Sequence, residues 1–504
     1  MRGLMRRLLA GRRGRAGAAI AVGVALCGSV ALPGAAAAAG TGADDPYVFA
    51  EGAHDVRGAP RRSTDAPRLK TGEMYRSSLG AGASGTAYFR VALDGAANAY
   101  ASVVAVPPLG SGVKAASSDG VTVTLQDQGG DQCDSGNATF RSGAYPRPIA
   151  AVAERLVRPG GARCQQAGTY YVVVERKTGA GSTGGTWGLE LKVATEPGLV
   201  TPAPTQGPQS WSSASVQPPS GAGTRRSGGT GFNDARALPS GVWKDRVGPG
   251  QSHFYRVPVD WGQQLSVDAE LAGSEQGASS GGTVPGALDM ELYNPARAPV
   301  TAEDVLYTGD PASTTFDPLP PVAYENRYVS RDGQAAMRLA GWYYLKVTVS
   351  PTMARKFRDE ASDVTLRVTV AGDAAQAPDY VRDAGEFQVT SEDLAAAEKG
   401  EGGAVWKDTD AKGSASAGGS AGGGAEGESP GAGSGSGSGS SSGSASASAG
   451  SSAASSSTSS GSAAMTLLGV TGIGTGTALL LWLGVWRVVA VRRVRVRVQV
   501  RARG

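Results

Sequence analysis

The chain has 504 residues, with 48 Lys and Arg, 44 Asp and Glu, 76 Gly, and only two histidines, His54 and His253. Six arginines crowd residues 2–15 and seven crowd residues 487–503, so the stretch between these ends carries 35 basic and 44 acidic groups, a net charge of −9. That excludes the electrostatic footprint of a nucleic-acid binder, and two histidines with no His, Cys or carboxylate at ligand spacing leave no zinc motif.

Residues 1–39 have the three parts of an export signal: basic Arg2, Arg6, Arg7, Arg12, Arg13 and Arg15, an apolar core over 16–32, and a small-residue cleavage site at 35–39. Arg6-Arg7 fits either a twin-arginine route or an ordinary basic Sec signal. Leu26 is too large to precede Cys27 in a lipoprotein signal. After cleavage Cys133 and Cys164 remain, and an even pair outside the cytoplasm predicts a disulfide.

Residues 44–196 alternate short apolar runs with Gly, Ser and Asp clusters. Segments 88–93, 99–106, 121–125, 169–175 and 187–193 read as strands, either of period two or buried on both faces. Residues 197–229 hold six prolines and predict an extended linker without strand pairing across it. A second domain over 230–373 repeats the first. Tyr88-Phe89-Arg90-Val91 matches Phe254-Tyr255-Arg256-Val257, Val123-Thr124-Leu125 matches Met290-Glu291-Leu292, and Ala167-Gly168-Thr169-Tyr170-Tyr171 matches Ala340-Gly341-Trp342-Tyr343-Tyr344. Leu189-Glu190-Leu191-Lys192-Val193 likewise matches Leu366-Arg367-Val368-Thr369-Val370. Collinear matches at domain length predict a duplication, not a solenoid. Each copy is long enough for its own core, so the two are expected to fold independently, with the linker setting only their spacing.

The second copy, with Phe232-Asn233-Asp234-Ala235, Gly248-Pro249-Gly250, Gly262-Gln263-Gln264-Leu265, Leu288-Asp289-Met290-Glu291-Leu292-Tyr293 and Gly341-Trp342-Tyr343-Tyr344, resembles the bacterial pre-peptidase C-terminal domain. The resemblance covers about 140 residues of this copy and extends loosely to the first. It implies a small antiparallel β-sandwich of the kind appended to secreted proteases and other exported proteins. No peptidase domain precedes either copy here. The expected fold class is all-β: two tandem antiparallel, jelly-roll-like sandwiches, a low-complexity stalk and one C-terminal transmembrane helix. Neighbouring strand residues face opposite ways, so Tyr170 and Tyr343 share one face and Tyr171 and Tyr344 the other. One of each pair is expected in the core with its hydroxyl at the rim; a ligand-stacking platform is the alternative.

Within residues 374–411, Thr390-x-x-Asp393 ahead of Leu394 resembles a capping box before a short helix. Residues 412–464 are almost wholly Ser, Gly and Ala and predict a flexible stalk. The uncharged run 465–486, from Met465 through Trp486, is long enough to cross a bilayer. The arginine-rich tail 487–504 sets its C-terminus in the cytoplasm and everything before Met465 outside. Gly472-x-x-x-Gly476 could bring two such helices together as a homodimer.

Catalytic residues are not evident. No Gly-x-Ser-x-Gly elbow occurs, and His253 beside a strand reads as a rim histidine. Asp127, Asp131 and Asp134 around Cys133 are a calcium candidate, although they lack EF-hand spacing; a solvated acidic loop pinned by the disulfide is the other reading. The chain is therefore expected to be a single-pass, non-enzymatic surface protein binding a cell-wall polymer or an extracellular or membrane protein. The alternatives are an accessory subunit of a membrane or secretion complex and an unrecognised hydrolase.

Overall fold

In the strand Thr86–Leu93, Ala87, Phe89, Val91 and Leu93 are buried while Arg90 and Ala92 reach solvent, and this alternation builds most of the molecule. A computed structural model describes residues 47–402, apart from 59–61, 111, 159, 202–204, 215, 275–281 and 358. The export signal, stalk, membrane run with Gly472 and Gly476, and basic tail lie outside the described residues. Among the described residues no helix is long and apolar enough to cross a membrane.

The first copy contains β1 (His54–Asp55), β2 (Arg68–Leu69), β3 (Met74–Leu79), β4 (Thr86–Leu93), β5 (Asn98–Val106), β6 (Gly120–Gln126), β7 (Gln132–Thr139), β8 (Ile149–Arg155), β9 (Gly168–Lys177) and β10 (Trp187–Glu196). The second contains β11 (Thr224–Arg225), β12 (Arg236–Ala237), β13 (Gly241–Val247), β14 (Ser252–Val259), β15 (Gln264–Leu271), β16 (Val284–Tyr293), β17 (Pro299–Tyr307), β18 (Ala312–Thr315), β19 (Gly341–Val349) and β20 (Ser362–Ala371). The sheet orders are β1-β3-β10-β5-β8 and β2-β4-β9-β6-β7 in the first copy, and β11-β13-β20-β15-β18 and β12-β14-β19-β16-β17 in the second. Each order in one copy becomes the other when ten is added to every strand number, so the duplication extends to the whole topology. All the strand pairs in these sheets are antiparallel except the two-residue ones, such as β1 with β3.

Each copy has its own core. Phe89, Val103, Val123, Val172 and Leu191 meet between the sheets of the first, and Tyr255, Val267, Met290, Leu345 and Leu366 between those of the second. Tyr170 and Tyr343 enter these cores, and each hydroxyl donates to a carbonyl four residues upstream, Gln166 O at 2.7 Å and Leu339 O at 2.9 Å. Their partners diverge: Tyr171 is half-buried on an outer face, whereas Tyr344 is buried against the first copy.

The two sandwiches are not separate beads. The outer face of sheet β1-β3-β10-β5-β8 packs on the outer face of sheet β12-β14-β19-β16-β17, giving four layers with two sheets covered on both sides. Val104 and Ala150 of the first copy share a cluster with Phe254, Tyr293, Trp342 and Tyr344 of the second, and Tyr100 and Val152 share one with Leu339 and Phe387. These sheets are not counterparts in the duplication, so the contact is heterologous, without a pseudo-two-fold relation. The expected passive linker is also corrected. Val200 N donates to Asp379 O and Val381 N to Gly198 O, while Thr224 and Arg225 pair with Trp243 and Lys244.

The helix Ser391–Lys399 has the predicted capping box: Thr390 Oγ1 accepts from Asp393 N, and Asp393 Oδ2 accepts from Thr390 N at 2.8 Å. Asp393 Oδ1 also takes the indole N–H of Trp342 at 3.0 Å, which fastens this segment to the second copy.

Candidate functional site

The seam between the copies begins with the alternation of β10. Leu189, Leu191 and Val193 face the first core, so Glu190, Lys192 and Glu196 face the second copy, where all three are buried. A buried charge survives only when paired, and each has a partner far away in sequence. Glu190 receives Arg297, Tyr47 Oη, Ala50 N and Asn233 Nδ2. Glu196 receives two bonds from Arg327, with Asn98, Tyr100 and Tyr380 supplying the rest. Burial alone would raise the Glu196 carboxyl, but Arg327 and the neighbouring donors hold it below its ordinary value. Lys192 pairs with Glu386 at 2.7 Å, and burial pushes its ammonium down to about 8 against that pairing.

A second charged group closes the other end. Asp289 and Glu291, two residues apart on β16, share a face. Arg141 Nη2 lies 2.9 Å from Asp289 Oδ2 and 3.3 Å from Glu291 Oε1, and Arg147 Nη2 lies 3.4 and 3.3 Å from the same atoms. Lys346 Nζ reaches Glu291 Oε2 at 3.0 Å and donates to Pro148 O at 2.8 Å. Burial and the adjacent Glu291 charge push Asp289 up to about 7, while Lys346 and Arg147 outweigh burial and hold Glu291 well below its usual range.

Above this group a cleft of about 260 Å³ opens along the seam, with Asn137, Thr139 and Arg141 on one wall and Pro299 and Thr301 on the other. Its chief walls come from β7 and β17, counterpart strands of the two copies. Ala138 packs on the first core, so alternation turns Asn137 and Thr139 to the opposite face, and the turn that follows β7 brings Arg141 to the same cleft. The turn Arg141–Gly143 holds Arg141 at φ 50° and Ala144 at φ 47°, left-handed backbone that non-glycine residues occupy at a cost and that recurs at binding sites. The cleft can hold a polar ligand by side-chain hydrogen bonds around one cation.

Cys133 and Cys164 form the predicted disulfide, joining β7 to the loop before β9. Asp127 Oδ1 takes the N–H groups of Gly129 and Asp131, and Asp134 Oδ2 takes Glu154 N from β8. Among the described residues no three His, Cys, Asp or Glu side chains gather to hold a metal. Asp134 also lies in a strand, because Gln132–Thr139 pairs with β6 and is not a free loop.

His253 is not an exposed rim residue. It is buried, with Nδ1 2.6 Å from Asp245 Oδ2, which also takes Tyr255 Oη at 2.5 Å and Gly228 N at 3.0 Å. Burial would raise Asp245, but the His253 and Tyr255 bonds pull it down to about 2. No Ser, Thr or Cys side chain is hydrogen-bonded to this ring among the described residues, so the pair braces β13 against β14. The seam carboxylates and the β7 ladder escaped the sequence reading, because each looks like the ordinary polar side of an amphipathic strand.

No family model and no curated protein matches the chain. Solved structures align only weakly. The ANX1 ectodomain from Arabidopsis thaliana aligns at 9% identity over 62% of this chain and 93% of its own, with a TM-score of 0.17. The human MASP-1/3 CUB1-EGF-CUB2 domain aligns at 6% over 59% and 99%, with a TM-score of 0.15. Neither likeness is strong enough to bear on fold or function.

Proposed function

We propose that the protein is a non-enzymatic binding head of the cell surface, tethered by the run at 465–486 and lifted from the membrane by the Ser/Gly/Ala tract, with the seam cleft as its contact site. The observation that carries this reading is the seam. Two sandwiches, each with its own core, are locked by buried ion pairs into one block, and both copies contribute walls to the cleft. Rigid placement of opposing walls lowers the ordering cost of binding. The Cys133–Cys164 disulfide supports an oxidising compartment, in keeping with the export signal and the basic tail. The jelly-roll character and the likeness to pre-peptidase C-terminal domains belong to this proposal.

Protease added to wall-stripped cells is expected to digest residues 40–464 and spare a tag placed after Gly504; protection of the sandwiches would refute the orientation. Full-length protein should also sediment with purified wall material. If it does not, and one membrane protein co-purifies with it stoichiometrically, the accessory-subunit reading replaces this one.

A further inference from the structure

The cleft has a chemical bias. Arg141 is 39% exposed and spends only Nη2 on Asp289 and Glu291. Its Nε and Nη1 make no hydrogen bond among the described residues, and neither do the side chains of Asn137, Thr139 and Thr301. The charges around the floor are close to balance, with Arg141, Arg147 and Lys346 against Asp289, Glu291 and, within electrostatic reach of Arg141, Glu303, so it is the unspent N–H groups of Arg141 that set the bias. Glu303 and Asp304 of β17 lie outside the lining. The N–H groups left on Nε and Nη1 can each donate a single charge-assisted hydrogen bond to a carboxylate.

The backbone around the cleft argues against an added peptide strand. β7 is already pressed on β8: a Cβ on Gly136 would lie 2.0 Å from Val152 O, which only glycine permits. On the facing wall β17 starts with Pro299, which has no N–H to offer. Recognition must then come from side chains, as suits a polyhydroxylated chain. Asn137 and Thr139, at alternate positions of β7, and Arg141 in the turn beyond it together offer more donors and acceptors than a single small ion requires.

We propose that the seam cleft binds a carboxylate-bearing polysaccharide, its carboxylate held by Arg141 and its hydroxyls by Asn137, Thr139 and Thr301. This rests on the surface-binding reading and names the ligand class of the same site. The chain between the basic ends is net negative, so long-range attraction does not assist; binding relies on local contacts and weakens with salt.

The test is titration of full-length protein in detergent with tetragalacturonate, neutral maltotetraose and tetraglutamate. Tetragalacturonate should bind at least tenfold tighter than either of the others. Asn137→Ala with Thr301→Val, and separately Arg141→Lys, should each weaken it by about tenfold, the order expected for one or two lost hydrogen bonds. If Arg141→Lys lowers the melting temperature, the double variant, which touches no ion pair, decides. Equal affinity for maltotetraose, tighter binding of tetraglutamate, or unchanged affinity in the double variant would overturn the proposal. Binding to wall material without binding to tetragalacturonate refutes the polysaccharide assignment and leaves the surface-binding reading standing; loss of both refutes the two together.

Discussion

Arg327 holds Glu196 with two parallel hydrogen bonds, Nη2 to Oε1 at 2.7 Å and Nη1 to Oε2 at 3.0 Å, and neither side chain reaches solvent. One residue ends the last strand of the first copy and the other lies in the 3-10 turn Tyr324–Tyr328 of the second. Removing one partner strands a buried charge. Glu196→Ala should therefore cost about 3–5 kcal/mol, whereas Glu196→Met with Arg327→Leu should cost far less. Urea denaturation of the three proteins decides; equal losses in both variants would show that the pair is structurally idle.

The same pairing makes the copies one cooperative unit. The wild-type chain should give a single calorimetric transition covering both sandwiches, and Arg297→Ala should lower it or split it in two. Two well-separated transitions in the wild type would mean that the seam couples nothing.

The disulfide should then protect more than its own copy. Closing the loop between Cys133 and Cys164 contributes about 3–4 kcal/mol in the chain-entropy model. Cys133→Ser with Cys164→Ser should lower the common transition, and tryptophans of both copies should report the shift together. A loss confined to the first copy would restore the picture of independent modules.

The Asp289 carboxyl is raised to about 7 in the folded state, above the ordinary carboxylate value it has when unfolded. The folded state therefore binds more protons than the unfolded state between about pH 4 and pH 7, so this group lowers stability as pH rises through that window. Glu196 and Glu291, held low, act oppositely: their contribution is present above about pH 4 and lost on further acidification. Asp289→Asn should flatten the decline between pH 5 and pH 7.5 in a denaturant series. A variant with the wild-type slope would remove Asp289 from the pH response.

Asp393 serves two ends, accepting Thr390 N in the capping box and Trp342 Nε1 from β19. Asp393→Ala should cost about 1–2 kcal/mol and speed amide exchange over Ser391–Lys399, whereas Leu394→Ala, at an exposed position, should change little.

Local pattern was enough for the all-β class, the duplication, the Cys133–Cys164 pairing and the Thr390–Asp393 cap. Alternation, collinear repeats, an even cysteine count and a three-residue cap spacing are all short-range or self-matching signals. Even the double-sided burial left a trace, since β5 and β19 read as almost unbroken apolar runs, as strands covered on both faces do. The partners lay beyond sequence. Glu190 and Glu196 look like the solvent side of an amphipathic strand, and only the docked second copy turns them into buried acceptors for Arg297 and Arg327, more than 100 residues away. Nothing local distinguishes a charge that will meet water from one that will meet a guanidinium, because that choice is made when two finished sheets find the faces on which they can pack. The cleft followed from the same docking: Asn137, Thr139 and Arg141 were not singled out in the sequence, and a wall becomes a site only when Thr301 is brought opposite it.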